Sequence, residues 1–257
     1  EDFSQYEEII ITGGERKRLI MEYQKINTLF KRDANNIIIP SQFTKPEYSY
    51  LAGCTWECTE KIDGTNIRIE LKKLSDGTIK VDYCGKTSKA SVPMHLIAKL
   101  KQIFGGIDFT KVFPNLVTDD VITLYGEGYG VKIQSGGNYI SNGVDFILFD
   151  VKVHDWWLDR KNCEEIAAEL NIKIVPIIGY FTIPEAIAFV RKGFKSHIAE
   201  NKDYNAEGLV LRTPDGLLFR NKERIITKIK TCDFEKYKAK YGDAICLNQP
   251  VNPKYND

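Results

Sequence analysis

The chain has 257 residues, of which 43% are apolar and 28% charged, as in an ordinary folded protein. Its net charge of +1 argues neither for nor against a nucleic-acid partner, so any phosphate-binding surface has to be a local cluster. No run of about 18 apolar residues is present, so we expect no transmembrane helix.

The six cysteines are scattered, and only Cys54 and Cys58 lie close together. A zinc site needs a second such pair or histidine partners, and the sequence supplies neither. A chain of this size does not depend on disulfides, so we expect free thiols. The first residues of the sequence are acidic and do not have the basic and apolar composition that a secretion signal requires. These features predict an intracellular protein, cytoplasmic or nuclear, in a reducing compartment and without membrane contact.

The first predicted element is an N-terminal amphipathic helix over about residues 15–32. Its apolar residues recur three or four positions apart, the spacing that places side chains on one face of a helix. These residues are Leu19, Ile20, Tyr23, Ile26, Leu29 and Phe30. A link rich in Asn and Pro follows at residues 35–46 and ends the pattern.

Strand patterns dominate the middle of the chain. We predict strands at residues 55–61, 66–74, 78–84, 121–127 and 145–153, with one helix at 93–104. The sequence Ser-Asp-Gly at 75–77 has the composition of a hairpin turn between the second and third of these strands.

The C-terminal part mixes helices and strands. Helices are predicted from Asp159 or Asn162 to Leu170, from Thr182 to Gly193, and at about 233–241. Strands are predicted at 208–213, 217–220 and 224–230, the first two paired through a turn at 214–216. Because the order lacks a regular βαβ alternation, the sequence predicts an α+β fold with largely antiparallel sheets and flanking helices, in one domain over residues 1–257.

The segment with the clearest chemistry is residues 60–66, Glu-Lys-Ile-Asp-Gly-Thr-Asn. Lys61 ends a predicted strand and Gly64 turns the chain, so the amine projects from rigid backbone into a cleft. Asp63 lies two residues further on and can face the same side. A surface turn with one charge pair is the alternative interpretation of this segment alone.

Four further segments follow in order along the chain. Glu127 lies between two glycines at the end of a predicted strand, and Phe149 lies within an apolar strand. Glu207 precedes a glycine and another strand, and Lys228 and Lys230 share one face of the last strand. Each residue has an ordinary alternative: a loop charge, a core aromatic ring, a turn, or a half-exposed strand.

Together, residues 60–230 resemble the ordered motifs of the covalent nucleotidyltransferase superfamily, which contains DNA ligases, RNA ligases and mRNA capping enzymes. The resemblance implies an ATP-grasp-like nucleotidyltransferase domain whose sheets form a nucleotide cleft. It implies that Lys61 is the catalytic nucleophile that carries AMP and that Lys228 and Lys230 are catalytic cations. Neighbouring cations would favour the neutral, attacking form of the Lys61 amine by like-charge repulsion.

The resemblance also implies a set of nucleotide and metal contacts. Phe149 would stack on the adenine and Glu127 would bind the ribose. Glu207 and Asp63 would hold Mg²⁺ or Mn²⁺, largely through water, which suits an ion that retains its hydration shell. The other implied nucleotide contacts are Glu60, Ile62, Gly64, Asn66, Lys86, Lys228 and Lys230.

Asn66, five residues after the nucleophile, bears on the choice within the superfamily. DNA ligases and capping enzymes usually carry arginine there, whereas asparagine resembles the RNA ligases similar to bacteriophage T4 RNA ligase 2. That family often has another residue where Asp63 stands. Few residues follow Lys230, so we expect no C-terminal OB-fold.

The sequence therefore predicts an ATP-dependent RNA ligase that joins 5′-phosphate and 3′-hydroxyl ends through lysyl-AMP. The alternatives are a DNA ligase or GTP-dependent capping guanylyltransferase of the same superfamily, and a non-catalytic nucleic-acid-binding relative. Candidates for RNA contact are Lys132, Gln134 and Tyr139 in the glycine-rich segment 128–139, for which a surface loop is the alternative.

Overall fold

A computed structural model describes residues 22–87, 90–134 and 139–242. The strands are β1 (Asn27–Thr28), β2 (Phe30–Arg32), β3 (Ile38–Phe43), β4 (Trp56–Lys61), β5 (Thr65–Lys73), β6 (Ile79–Gly85), β7 (Val121–Gly130), β8 (Val144–Val153), β9 (Trp156–Trp157), β10 (Lys173–Ile174), β11 (Ile177–Phe181), β12 (Gly208–Arg212) and β13 (Ile226–Lys230). The helices are α1 (Pro46–Tyr50), α2 (Met94–Phe104), α3 (Phe109–Val112), α4 (Arg160–Glu169), α5 (Ile183–Lys192) and α6 (Thr231–Tyr241).

The first sheet has the strand order β1-β13-β12-β4-β11, and all its pairs are antiparallel except β1 with β13. Within it, Gly208 lies opposite both Lys61 and Lys230 on the flanking strands. Gly208 has a φ of 153°, and a Cβ there would overlap the Ile229 carbonyl oxygen at 2.0 Å. Only glycine therefore allows the three strands to meet this closely.

The second sheet has the strand order β10-β8-β7-β5-β6, with β9 added beside β8. Its central pairs are antiparallel and place Asn66 of β5 directly opposite Glu127 of β7. Strands β2 and β3 form a separate small sheet.

Each large sheet buries one face beneath helices and turns the other toward the cleft. In β12, Leu209 and Leu211 pack into the apolar core shared with α5, while Val210 and Arg212 line the cleft. In β5, Ile67 and its alternating apolar neighbours pack on α2. The two-residue period of a strand thus separates core residues from site residues.

The predicted helix over residues 15–32 is wrong in the part that the structure describes. Residues 22–26 form neither a helix nor a strand and 27–32 contain β1 and β2, while 15–21 lie outside the described residues. Leu29 and Phe30 are buried, but in the core of the first sheet, and β1 completes the ladder of β13. Pairing with a distant strand thus replaces the helix that the local spacing indicated.

The strand predicted at 217–220 and its pairing with 208–213 are also wrong. Strand β12 already has β4 on one side and β13 on the other, so no edge is available for a hairpin partner. The segment instead folds back on itself, with one isolated bridge between Leu218 and Arg224.

The remaining predicted elements are confirmed within a few residues at each end. For two of the helices, the capping residues explain this agreement. Asp159 caps α4 by accepting a hydrogen bond from the backbone of Asn162. Thr182 and Glu185 form a reciprocal capping box at α5, and Gly193 ends that helix with a φ of 72°. Short strands such as β10 and β11 were not predicted.

None of the helices in the described residues combines the length and apolar character that a membrane span requires. Five of the six cysteines fall in the described ranges and none of them forms a disulfide there, while Cys246 lies outside. The reducing compartment, the single domain over 1–257 and the lack of an OB-fold remain predictions.

Candidate active site

A cleft opens between the two large sheets, at the end of β4 that carries Lys61. Its walls come from the first sheet, the second sheet and the N-terminal segment. The lining residues are Tyr23, Gln24, Ile26, Thr59, Glu60, Lys61, Ile62, Asn66, Lys86, Glu127, Phe149, Val175, Val210, Arg212 and Lys228. Eight of the residues predicted from the sequence therefore line one cavity.

Lys61 is held at this cleft by a chain of ion pairs. Its Nζ donates to Oε2 of Glu207 at 2.5 Å, and Oε1 of Glu207 accepts from Nζ of Lys230 at 2.6 Å. The register explains this geometry, because Gly208 lies opposite both lysines and Glu207 directly precedes it. The sequence-predicted nucleophile and final lysine thus both contact the predicted metal-binding carboxylate.

The cations around Lys61 carry shifted pKa values. Burial, reinforced by the charges of Lys61, Lys230 and Lys86, lowers the pKa of Lys228 to about 8. Burial also acts to lower the pKa of Lys230, but its hydrogen bond with Glu207 outweighs this effect and the pKa is raised. The nearby cations thus act in the same direction as burial on Lys228.

Glu127 faces these lysines from the second sheet. Desolvation raises its pKa to about 8, with the Lys61 charge acting in the opposite direction and the Glu207 and Asp63 carboxylates reinforcing the increase. A Cβ at Gly64 would lie 2.4 Å from the Gly128 carbonyl oxygen and 2.9 Å from Cγ of Glu127. Glycine at position 64 therefore lets the nucleophile loop pack directly on the strand that carries Glu127.

The predicted base pocket is apolar on one side and polar on the other. Phe149 and Ile62 line it together with Val175. Glu60 is 1% exposed, and its two carboxylate oxygens accept from Oγ of Ser196 at 2.5 Å and the backbone N–H of His197 at 2.8 Å. Burial raises the pKa of Glu60 against the effect of these bonds. The loop at 196–197, which the sequence patterns did not indicate, thus fixes the residue preceding Lys61.

Two further predicted residues, Asn66 and Lys86, line the cleft near Lys228. Oδ1 of Asn66 is buried and accepts no hydrogen bond from any described residue. A buried acceptor without a partner costs free energy unless a ligand or water satisfies it, so this atom indicates a binding position.

The carboxylates predicted to hold a metal share this region. Glu207 and Asp63 both lie near enough to Glu127 to raise its pKa. Within the described residues, no group of three or more His, Cys, Asp or Glu side chains converges as direct ligands. An oxygen-rich site with one or two carboxylates suits Mg²⁺ or Mn²⁺ that keeps several waters, so the residues fit the hydrated ion expected from the sequence.

Tyr139 does not have the role considered for it. Its side chain is fully buried, so it cannot contact RNA, and its hydroxyl oxygen accepts from the backbone N–H of Asp63 at 3.1 Å. Tyr139 therefore anchors the loop that follows Lys61. Lys132 and Gln134 are exposed, while residues 135–138 lie outside the described residues.

A buried ion-pair cluster joins the two sheets beside the base pocket. Asp150, the residue after Phe149, is fully buried and pairs with Arg212 at 3.0 Å and Arg224 at 2.9 Å. Burial acts to raise the pKa of Asp150, but the two guanidinium groups lower it to about 2. The cluster was not predicted, because its members are 62 and 74 positions apart.

The sequence model of the RNA ligase family matches residues 55–230, which include all the predicted site residues. The chain belongs to the RNA ligase family. This membership confirms the family expected from the ordered motifs. The narrower resemblance to ligases similar to bacteriophage T4 RNA ligase 2, and the role of each site residue, remain predictions.

Solved structures of the Naegleria gruberi RNA ligase share the fold of this chain. The structure with PPi matches with a TM-score of 0.56 at 21% identity, covering 85% of this chain and 58% of that chain. A variant with ATP and Mn gives a TM-score of 0.53 at 24% identity, with coverages of 75% and 54%. Another with AMP and Mn gives 0.55 at 22% identity, with coverages of 82% and 58%.

These matches confirm the α+β fold with antiparallel sheets around a cleft. The chain spans a little more than half the length of the Naegleria ligase. No curated protein matches the sequence significantly.

Proposed function

We propose that this protein is an ATP-dependent RNA ligase that stores AMP on Lys61 and joins 5′-phosphate to 3′-hydroxyl ends. The observation that carries the proposal is the contact chain from Lys61 through Glu207 to Lys230, with Glu127 and Lys228 at the same cleft. A nucleophile, cations and carboxylates converge there as adenylyl transfer requires.

In the first step, Nζ of Lys61 loses a proton and its lone pair forms a bond to the α-phosphorus of ATP. The bond from that phosphorus to the bridging oxygen breaks, and pyrophosphate leaves with the electron pair. Lys228 and Lys230 lie on one face of β13 and stabilise the charge that develops on the phosphates.

In the second step, an oxygen of the RNA 5′-phosphate attacks the same phosphorus, and the bond to Nζ breaks as lysine recovers a proton. In the third step, the 3′-hydroxyl attacks the activated 5′-phosphate, loses its proton and releases AMP. All three steps are in-line displacements at phosphorus, for which positioning and charge stabilisation are the main contributions of a protein.

Glu207 and Asp63 would hold the divalent cation, which when bound supplies positive charge at the phosphates. The Naegleria ligase structures with ATP or AMP and Mn support the use of a nucleotide and a divalent cation by this fold. On binding metal, Glu207 would have to exchange its present contacts with Lys61 and Lys230 for water-mediated ones.

Membership in the RNA ligase family supports RNA as the substrate over the DNA ligase and capping alternatives. The test is incubation with α-phosphate-labelled ATP and Mg²⁺, followed by addition of nicked duplexes with RNA or DNA at the 3′-hydroxyl end. We expect a labelled protein with ATP but not GTP, transfer of AMP to the 5′-phosphate, and preferential sealing of the RNA-ended nick.

Lys61→Ala should abolish labelling, whereas Lys101→Ala, at an exposed lysine on α2, should label normally. Persistent labelling of Lys61→Ala, or labelling by GTP in place of ATP, would refute the proposal. A labelled protein that seals only DNA-ended nicks would refute the RNA assignment while leaving the lysyl-AMP step intact.

A further inference from the structure

The N-terminal strap, which we define as residues 22–28, forms a wall of the nucleotide cleft. Tyr23, Gln24 and Ile26 line the cavity, and the strap continues into β1, which pairs with β13 beside Lys228. The strap therefore contacts the sheet that carries Lys228 while it faces the pocket in which Phe149 lies. The sequence motifs assigned the strap no role in the site.

The Tyr23 hydroxyl ties this strap to the buried ion-pair cluster. It donates to Oδ2 of Asp150 at 2.5 Å and accepts from Nη2 of Arg224 at 3.0 Å. The side-chain amide of Gln24 adds two hydrogen bonds with the backbone of Arg224: it donates to the carbonyl oxygen at 3.0 Å and accepts from the N–H at 3.2 Å. With four bonds to buried or half-buried partners, the position of the strap is well determined.

The Tyr23 ring contacts the predicted base-stacking residue directly. Its centroid lies 5.0 Å from that of Phe149, at an interplanar angle of 71°, an edge-to-face arrangement. Trp157 and Tyr125 pack on other sides of Tyr23 at 5.5 and 5.1 Å. The guanidinium carbon of Arg224 lies 3.7 Å from the Trp157 ring centroid, which closes the cluster.

We propose that Tyr23 is a positioning residue for nucleotide binding: its ring fixes the orientation of Phe149, and its hydroxyl fixes the ring. This inference rests on the proposed function, in which Phe149 stacks on the adenine. A stacking ring with one supported edge loses less rotational freedom when the base binds, so the support contributes to affinity for the base. It contributes nothing to recognition of pyrophosphate, which has no base.

The experiment compares Tyr23→Leu, which removes the ring, and Tyr23→Phe, which removes only the hydroxyl. Tyr48→Phe is the matched control, because Tyr48 is also buried, its hydroxyl donates to the Ile226 carbonyl at 3.0 Å, and it does not line the cleft. Two values are measured for each variant: KM for ATP in adduct formation and KM for pyrophosphate in the reverse reaction.

We expect Tyr23→Leu to raise KM for ATP about tenfold and Tyr23→Phe about threefold, as loss of an aromatic contact or its anchoring bond implies. KM for pyrophosphate should stay within about twofold in both, and Tyr48→Phe should leave both values unchanged. Unchanged KM for ATP, or parallel increases in both KM values, would overturn the inference.

Should Tyr23→Leu fail to fold, the comparison of Tyr23→Phe with Tyr48→Phe decides the question. Equal KM values for ATP in these two variants would overturn the inference. A lack of adduct in the unsubstituted protein would instead refute the proposed function, so the two failures are distinguishable.

Discussion

At the residue scale, Glu207 lies at the centre of the site, because its two carboxylate oxygens accept from Nζ of Lys61 and Nζ of Lys230. Lys61, Glu207 and Lys230 were predicted from ordered motifs, and their side chains are in contact. Tyr139 and Ser196, which anchor the nucleophile loop and Glu60, carry no local signal because a buried tyrosine or serine looks like any core or loop residue. Such supports become visible only when the chain is folded.

The raised pKa of Glu127 gives a prediction about stability. Its value changes from 4.5 to about 8, so between these limits the folded protein retains a proton that the unfolded chain has released. The stabilisation of the folded protein by this proton is complete below about pH 4.5 and is lost as the pH rises to about 8. Glu127→Gln has no such proton. Between pH 5 and 8, the free energy of unfolding of the unsubstituted protein should therefore fall by about 1 kcal/mol or more relative to that of Glu127→Gln.

Denaturant unfolding at several pH values measures this difference, with Glu235→Gln, at an exposed position of α6, as the control. Curves for Glu127→Gln and the unsubstituted protein that stay parallel from pH 5 to 8 would show that Glu127 ionises normally.

At the element scale, the sequence predicts strongly patterned strands and capped helices but not pairings made over long distances. The apolar spacing at 15–32 indicated a helix, yet 27–28 pairs with a strand about 200 residues away. The segment 217–220 looked like half of a hairpin, yet both edges of β12 were already occupied. Local patterns cannot show which edges other strands have taken.

Gly208 is the position at which the strands of the site meet most closely. Gly208→Ala places a methyl group against the Ile229 carbonyl in a backbone conformation reserved for glycine. We expect a loss of at least about 2 kcal/mol in the free energy of unfolding, together with loss of adenylylation as β4 and β13 separate. Gly53→Ala, where no atom lies within 4 Å of the new Cβ, is the control and should change stability by less than about 0.5 kcal/mol.

Thermal and denaturant unfolding of the two glycine variants measures this difference. Equal stability of Gly208→Ala and Gly53→Ala would contradict the close approach of the three strands.

At the scale of the whole molecule, the site depends on two sheets that meet in one cleft. Lys61, Glu207, Lys228 and Lys230 come from the first sheet or its end, and Glu127 and Phe149 from the second. The Asp150 cluster joins these sheets, since Asp150 lies in β8 and Arg212 in β12. The sequence indicated the two sets of strands but gave no sign of this junction.

Asp150→Asn should therefore destabilise the protein more than an ordinary surface change. Removal of the charge leaves the buried Arg224 guanidinium without its counter-ion and leaves Arg212 with only Glu57, at 3.5 Å, which costs about 3–5 kcal/mol. Asp155→Asn, at a pair with Lys152 in which the aspartate is 93% exposed, should cost less than about 1 kcal/mol. Chemical denaturation of both variants measures the difference, and equal values would mean that the cluster does not hold the sheets together.

In the proposed function, the Lys61 amine attacks the α-phosphate of ATP within this cleft. Peptide mapping by mass spectrometry, after the protein has been mixed with ATP and Mg²⁺, tests this step. We expect one AMP, attached to Nζ of Lys61. AMP on any other residue, or a protein that stays unmodified with both Mg²⁺ and Mn²⁺, would contradict it.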